Sequence, residues 1–407
     1  MSYLRVLKST AFLLFMVFLG CAQKTTKEID KTVSKSHEEE KEIVVAANQT
    51  NAYLPLLKGK KIGIVANQTS VIFKGKGYTH LVDSLHSLKM DIKKVFAPEH
   101  GFRGKADAGE KISDGIDTKT GLSIISLYGK NRKPSQEHLM DLDVVVFDIQ
   151  DVGVRFYTYI ATLQLVMEAC AEAGIPVLVL DRPNPNAHYI DGPTMEAEHT
   201  SFLGMMQIPL VYGMTIGEYA KMINEEGWLT EGLKTDLTVI SLENYTHKST
   251  YSLPIRPSPN LPNDTAINIY PSLGLFEGTN INAGRGTEFQ FQRYGASFLD
   301  STQYTFTYVP EPNFSSKYPK EEGKTCYGND LSTNPKMQEM SLQWLLDAYK
   351  NCTDKSKFFN TSGFTKHAGT EKLQQQIEAG LSESEIKASW NEDLESFKKI
   401  RKKYLLY

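Results

Sequence analysis

The sequence predicts an α/β fold organised on a doubly wound parallel sheet, and three observations carry that expectation. Apolar runs of strand length alternate with stretches whose apolar residues recur at helical spacing, the pattern of strand-helix crossovers. The run Val144 to Phe147 has no polar alternation, as a strand covered by helices on both faces requires. Polar residues follow each of these runs at once, which sets a row of functional groups along one edge of the sheet, where open α/β sheets hold their ligands.

Taken in order, strands are expected at about Lys61 to Val65, Ile92 to Phe96, Ser123 to Leu127, Asp143 to Phe147, Pro176 to Leu180 and Asp236 to Leu242. Leu81, Val82, Leu85 and Leu88 share a helical face, and so do Ile160, Leu163, Val166, Met167 and Cys170, where Gly174 supplies the stop. Thr215-Ile216-Gly217-Glu218 fits a capping box that opens a helix through about Glu226. The first domain therefore runs over residues 52–245 and a second over 246–407. A Pro- and Gly-rich region, Arg256 to Phe289, is long for a loop without function and is a candidate wall for the crevice. Further on, Leu342, Leu345, Leu346 and Tyr349 share a face, and Ser382 to Glu385 forms a second capping box.

Of the 407 residues, 41% are hydrophobic and 23% charged, which allows two soluble domains. The net charge of −3 and the lack of a basic cluster flanked by aromatics argue against a nucleic-acid partner. At the start, Arg5 and Lys8 precede the apolar run Ala11 to Leu19, too short to span a bilayer and typical of a secretory signal. Phe18-Leu19-Gly20-Cys21 resembles the bacterial lipobox, in which cleavage precedes the Cys and lipid is attached to it. Residues 1–20 are thus read as a signal peptide, Cys21 as the lipidated residue, and 21–51, rich in Lys, Glu, Thr and Ser, as a flexible tether. The expected protein is exported and held on the periplasmic or outer-membrane side, touching the membrane through its lipid alone. Cys170, Cys326 and Cys352 remain, an odd number from which no complete disulfide framework follows.

Two stretches carry the chemistry. After Val144 to Phe147 come Asp148, Gln150 and Asp151, then Gly153 to turn the chain, with Arg155, Tyr157 and Tyr159 entering the next helix. Taken singly, these residues also fit an Asp that caps the helix and an Arg that pairs with it. In Ala97 to Gly104, Pro98 keeps Ala97 extended and the glycines free the loop, so that Glu99 is presented at a strand end beside His100 and Arg103. A carboxyl in a partly apolar cleft holds its proton to higher pH, as a general acid must. A loop ion pair between Glu99 and Arg103 is the plainer alternative. No G-x-G-x-x-G, P-loop, G-x-S-x-G or H-E-x-x-H occurs and the nine His are scattered, so no nucleotide, other cofactor or metal is expected. A hard-cation site on Asp148, Asp151 and Asp181 is the weakest reading.

Several stretches together, FAPEHGFRG (Phe96 to Gly104), SLYGK (Ser126 to Lys130), FDIQDVGVRFYTY (Phe147 to Tyr159), LDRPNP (Leu180 to Pro185), YGMTIGEYA (Tyr212 to Ala220), SPNLP (Ser258 to Pro262) and FEGTNINAGRGT (Phe276 to Thr287), resemble the NamZ-type exo-β-N-acetylmuramidases. The similarity extends from about Leu54 to the end. It implies a Rossmann-like domain joined to a smaller C-terminal α+β domain, an active cleft between them, and hydrolysis of terminal non-reducing N-acetylmuramic acid from peptidoglycan fragments such as MurNAc-GlcNAc. By position, the family's candidate acid falls on Glu99. Its cleft residues fall on His100, Arg103, Asp148, Gln150, Arg155, Tyr157, Asp181, Arg182, Asn260, Glu277, Asn280 and Arg285. Asp148 is the first choice for a second carboxyl, with Tyr157 as nucleophile and the substrate's own acetamide as alternatives. Arg103, Arg155, Arg182 and Arg285 are candidates to hold the lactyl carboxylate of that sugar. A surface lipoprotein that binds muropeptides without cutting them is the alternative from another class.

Overall fold

The computed structural model describes residues 41–104 and 114–407, and the strands fall where the apolar runs place them. In chain order they are β1 (Ile62–Ala66), β2 (Val71–Lys74), β3 (Gly77–His80), β4 (Ile92–Ala97), β5 (Gly115–Ile116), β6 (Ser123–Ser126), β7 (Val144–Asp148), β8 (Val177–Leu180), β9 (Asp191–Thr194), β10 (Pro209–Val211), β11 (Leu237–Ile240), β12 (Arg293–Ala296), β13 (Phe306–Tyr308) and β14 (Cys326–Asp330). The central sheet has the order β11-β8-β7-β1-β4-β6-β5. From β1 the chain steps outward to β4 and β6, returns to lay β7 on the other side of β1, and continues to β8 and β11. All of these pairs are parallel except the short edge pair β5–β6. The doubly wound sheet expected from the sequence is present, with one antiparallel edge. Alternation was absent from Val144 to Phe147 for a physical reason: Val145 and Phe147 enter one core cluster while Val144 and Val146 enter the other.

The helices that matter for the site are α1 (Thr50–Leu57), α2 (Leu81–Ser87), α3 (Gln136–Leu139), α4 (Tyr159–Ala173), α5 (Ile216–Glu225), α6 (Asp264–Leu273), α7 (Gln343–Lys350) and α8 (Thr361–Ala368). Gly174 closes α4 in the left-handed conformation, φ 66°, as its position predicts. The two capping boxes form as read: Thr215 and Glu218 cap α5, and Ser382 and Glu385 cap the helix Glu383–Ala388. Cys170, Cys326 and Cys352 are buried free thiols. The C-terminal part is α+β, with a three-stranded antiparallel sheet, β12-β14-β13, among its helices.

Two local expectations need correction. The tether does not extend to residue 51: Val45, Ala46 and Ala47 are buried, Val44 bridges to Glu243, and Tyr53 and Leu57 of α1 enter the core, so the chain joins the fold at about Val44. The stretch after β1 holds a hairpin, β2–β3, that the helical reading of this region passed over. Its two-residue loop, Gly75-Lys76, is a recognisable turn signal.

Candidate active site

Glu99 stands directly after β4 in a tight loop. Gly101 donates its amide to the Pro98 carbonyl (3.0 Å) and Gly104 to the Gly101 carbonyl (3.2 Å), which turns the chain back on itself within one strand end. The Glu99 carboxyl leans on a second strand end: Thr158, just ahead of α4, donates its hydroxyl to Oε2 at 2.8 Å. Thr158 is held in turn because β7 leads into an ordered loop. The Gln150 backbone amide donates to Thr69 Oγ1 (3.0 Å), and Asp151 accepts from the Gly153 amide (2.7 Å).

These strand ends and the C-terminal segments enclose a cavity of about 280 Å³. Glu99, His100, Phe156, Tyr157, Thr158 and Leu203 line it from the first part of the chain; Ser258, Asn260, Leu261, Tyr270, Glu277, Arg285, Phe291 and His367 line it from the second. Six of the residues singled out in the sequence thus converge: Glu99, His100, Tyr157, Asn260, Glu277 and Arg285. The Pro- and Gly-rich stretch from Arg256 to Phe289 does form a wall. Glu277 Oε1 is 3.2 Å from Arg285 Nη1. Burial raises the Tyr157 phenol well above its ordinary range, so it stays protonated and is unsuited to act as a phenolate nucleophile. Neither Tyr157 Oη nor Asn260 Oδ1 has a hydrogen-bond partner in the protein, although both are buried.

The remaining candidates lie elsewhere, each with a physical reason. Asp148 is completely buried and clasped by Arg182, Nε to Oδ1 at 2.6 Å and Nη2 to Oδ2 at 2.9 Å, so neither side chain is available to a sugar. Gln150 donates to the carbonyls of Asp151 (2.7 Å) and Pro183 (2.6 Å). Asp181 accepts from Thr215 Oγ1, the Gly217 amide and Tyr407 Oη, anchoring the start of α5. Arg155 is not helical. It sits in the loop before α4, fully buried, and donates to the carbonyls of Pro193, Ile208, His367 and Ala368. Arg103 pairs with Asp83 (3.1 Å) and Asp117 (2.8 Å), not with Glu99. Asn280 is exposed and donates to the Lys357 carbonyl (2.7 Å).

Asp148, Asp151 and Asp181 hold three separate partners and do not converge as a cation site would require. Among the described residues, the one cluster whose ligand atoms approach is Glu196, Glu198 and His199, and Glu196 there is paired with Lys372 at 2.7 Å. Cys21 lies outside the described residues. Tyr157 also precedes α4, with Tyr159 opening the helix; their rings meet edge to face at 4.8 Å and only Tyr157 lines the cavity.

Thr158, Tyr270 and His367 escaped the sequence reading. Thr158 and Tyr270 lay inside stretches already under suspicion but carry no charge to draw attention. His367 sits in the last turn of α8, in TSGFTKHA, where no motif marks it. Burial first, then the carboxylates of Glu277 and Glu99, push the Tyr270 phenol far up, which places it under the influence of both acids.

A Rossmann-like sheet, a smaller α+β part and a cavity lined by two carboxyls fit a glycoside hydrolase. The description "Exo-beta-N-acetylmuramidase NamZ, N-terminal" matches residues 62–265, and "Exo-beta-N-acetylmuramidase NamZ, C-terminal" matches residues 268–407. The chain belongs to the NamZ exo-β-N-acetylmuramidase family. It is 39% identical over 373 residues to the peptidoglycan beta-N-acetylmuramidase NamZ of Bacillus subtilis (strain 168), covering 87% of this chain and 89% of that protein. A crystal structure of a DUF1343 family protein from Bacteroides fragilis NCTC 9343 superposes with a TM-score of 0.83 at 43% identity, over 90% of this chain and 99% of the other. A second such structure from the same organism gives 0.75 at 26% identity, with the same coverage.

Proposed function

We infer that this chain removes terminal non-reducing N-acetylmuramic acid from peptidoglycan fragments, with Glu99 as the general acid that protonates the departing glycosidic oxygen. The observation that carries the assignment is the setting of Glu99: a carboxyl oriented by the Thr158 hydroxyl and projecting into a cavity sized for one sugar ring with its substituents. Of the four arginines considered, Arg285 alone lines this cavity, which supports it as the one that meets the lactyl carboxylate. Tyr157 and Asn260 line the same cavity and would flank the bound sugar.

Glu99→Gln tests the acid role. Turnover of MurNAc-GlcNAc should fall by about 10²–10⁴-fold, and far less for a nitrophenyl glycoside of N-acetylmuramic acid, whose leaving group needs little protonation. Equal losses on both substrates would count against proton donation; unchanged turnover would remove Glu99 from the chemistry.

The protein is also proposed to be exported and anchored through lipid on Cys21. This rests on the order of basic residues, short apolar run, Gly20 and Cys21. No helix among the described residues is long and apolar enough to cross a membrane. Radiolabelled palmitate should be incorporated by the native protein and not by Cys21→Ala; labelling of both would place the lipid elsewhere.

A further inference from the structure

Hydrolysis needs a second group to deliver water or to attack in its place. With Asp148 locked against Arg182, the cavity offers Glu277. It lies in the short 3-10 segment Gly274–Gly278 that follows α6, and this segment packs tightly on α8. Gly278 permits that approach, since a Cβ there would stand 2.3 Å from the Phe364 Cα. Segment and helix are therefore fixed against each other, and with them Glu277 and His367.

The imidazole has a defined tautomer. His367 Nδ1 lies 2.8 Å from the Gly363 carbonyl, which only accepts, so Nδ1 carries the hydrogen and the neutral ring presents Nε2 as an acceptor. Burial lowers the pKa of His367 and keeps the ring neutral. Nε2 is 4.0 Å from Glu277 Oε2. Two acceptors at that separation do not bond each other; they fit one water that donates a hydrogen to each. Two such bonds of about 2.8 Å across this gap meet at an angle of roughly 90°. The other carboxylate oxygen of Glu277 lies 3.2 Å from Arg285 Nη1, which leaves Oε2 as the one facing the imidazole.

We propose that Glu277 and His367 together hold the hydrolytic water, with Glu277 as its general base, so that N-acetylmuramic acid leaves with inversion at its anomeric carbon. The inference rests on the reading of Glu99 as proton donor in the same cavity. In the step, the water oxygen bonds to the anomeric carbon while one of its protons passes to Glu277. The bond from that carbon to the glycosidic oxygen breaks as Glu99 gives its proton to the departing sugar. Exchange with solvent then returns both carboxyls to their starting states. Glu277 is catalytic here; His367 positions the water.

The first-formed anomer, followed by proton NMR as the native enzyme cleaves MurNAc-GlcNAc, is the direct test. α-N-Acetylmuramic acid appearing first is the expected result, and the β anomer appearing first overturns the proposal. Failure of the native enzyme to release any sugar would instead defeat the glycosidase reading itself, and this inference with it. Glu277→Ala should lose about 10²–10⁴-fold in kcat, and sodium azide should restore turnover with formation of the α-glycosyl azide. A folded Glu277→Ala that keeps a tenth or more of native kcat overturns the base assignment. For His367, Leu should lower kcat at constant KM while Gln, which still accepts a hydrogen bond, recovers part of it. Equal losses in both, or a change confined to KM, remove His367 from the water.

Discussion

Glu99 follows the end of β4 and Asp148 is the last residue of β7, and their opposite fates come from what lies within reach of the carboxyl. Asp148 meets the Arg182 guanidinium, 34 residues on in sequence, and Arg182 also donates to the Val71 carbonyl at 3.0 Å. The pair thereby ties the ends of β7 and β8 to the start of β2. Breaking it by Asp148→Asn leaves a buried cation without its counter-charge, a cost of about 3–5 kcal/mol. Urea unfolding should register that loss, while kcat of the folded fraction stays near native. A large drop in kcat at unchanged stability would return Asp148 to the chemistry. At this scale the sequence is ambiguous by nature, because an acid after an apolar run reads the same whether an arginine from a distant strand folds over it or a cavity opens beside it. Arg103 was misread for the same reason, its partners Asp83 and Asp117 lying on other segments.

The connection from β7 to α4 does most to shape the site, since it carries Phe156, Tyr157 and Thr158 to the cavity. Its turn depends on Gly153, at φ 76°, where an added Cβ would stand 2.3 Å from Asn184 Oδ1. Asn184 is in turn committed, donating to the Met214 carbonyl at 2.8 Å. Gly153→Ala should therefore lower stability by more than about 1 kcal/mol and reduce kcat/KM as the Thr158 support under Glu99 shifts. Thermal melts and kinetics on one preparation would show whether the two losses travel together. The strands and helices flanking this connection were legible from apolar periodicity alone, because covering both faces of a strand and one face of a helix leaves a composition signal. The loop itself was not: its residues were assigned to the helix, and only the hydrogen bonds of Arg155 to distant carbonyls show why the helix waits until Tyr159. His367 was invisible for a related reason, since α8 reaches the cavity only through tertiary packing.

At the scale of the whole molecule, two acids, Asp151 and Asp181, are buried without a compensating cation, and this fixes a direction for stability against pH. Burial pushes the Asp151 carboxyl up to about 7 and that of Asp181 to about 6, from an ordinary 3.8. Asp151 Oδ2 accepts from Gly153 and Tyr212, while Oδ1 is buried with no partner. Because the folded values lie above the unfolded ones, the folded state binds more protons in between. Their contribution is complete below about pH 3.8 and is lost as pH rises through about 6 and 7. The lowered carboxyls of Asp83 and Asp117 act in the opposite sense, below the ordinary carboxylate value. The urea midpoint should accordingly decline from about pH 4 to about pH 7, with a shallower slope in Asp151→Asn; an unchanged slope would show that Asp151 does not titrate there. Finally, the Arg155 guanidinium draws the carbonyls of Pro193 and Ile208 together with those of His367 and Ala368 at the end of α8. Parting these segments would strip a buried cation of its acceptors, so the same four bonds that fasten the end of α8 also hold His367 at the edge of the cavity.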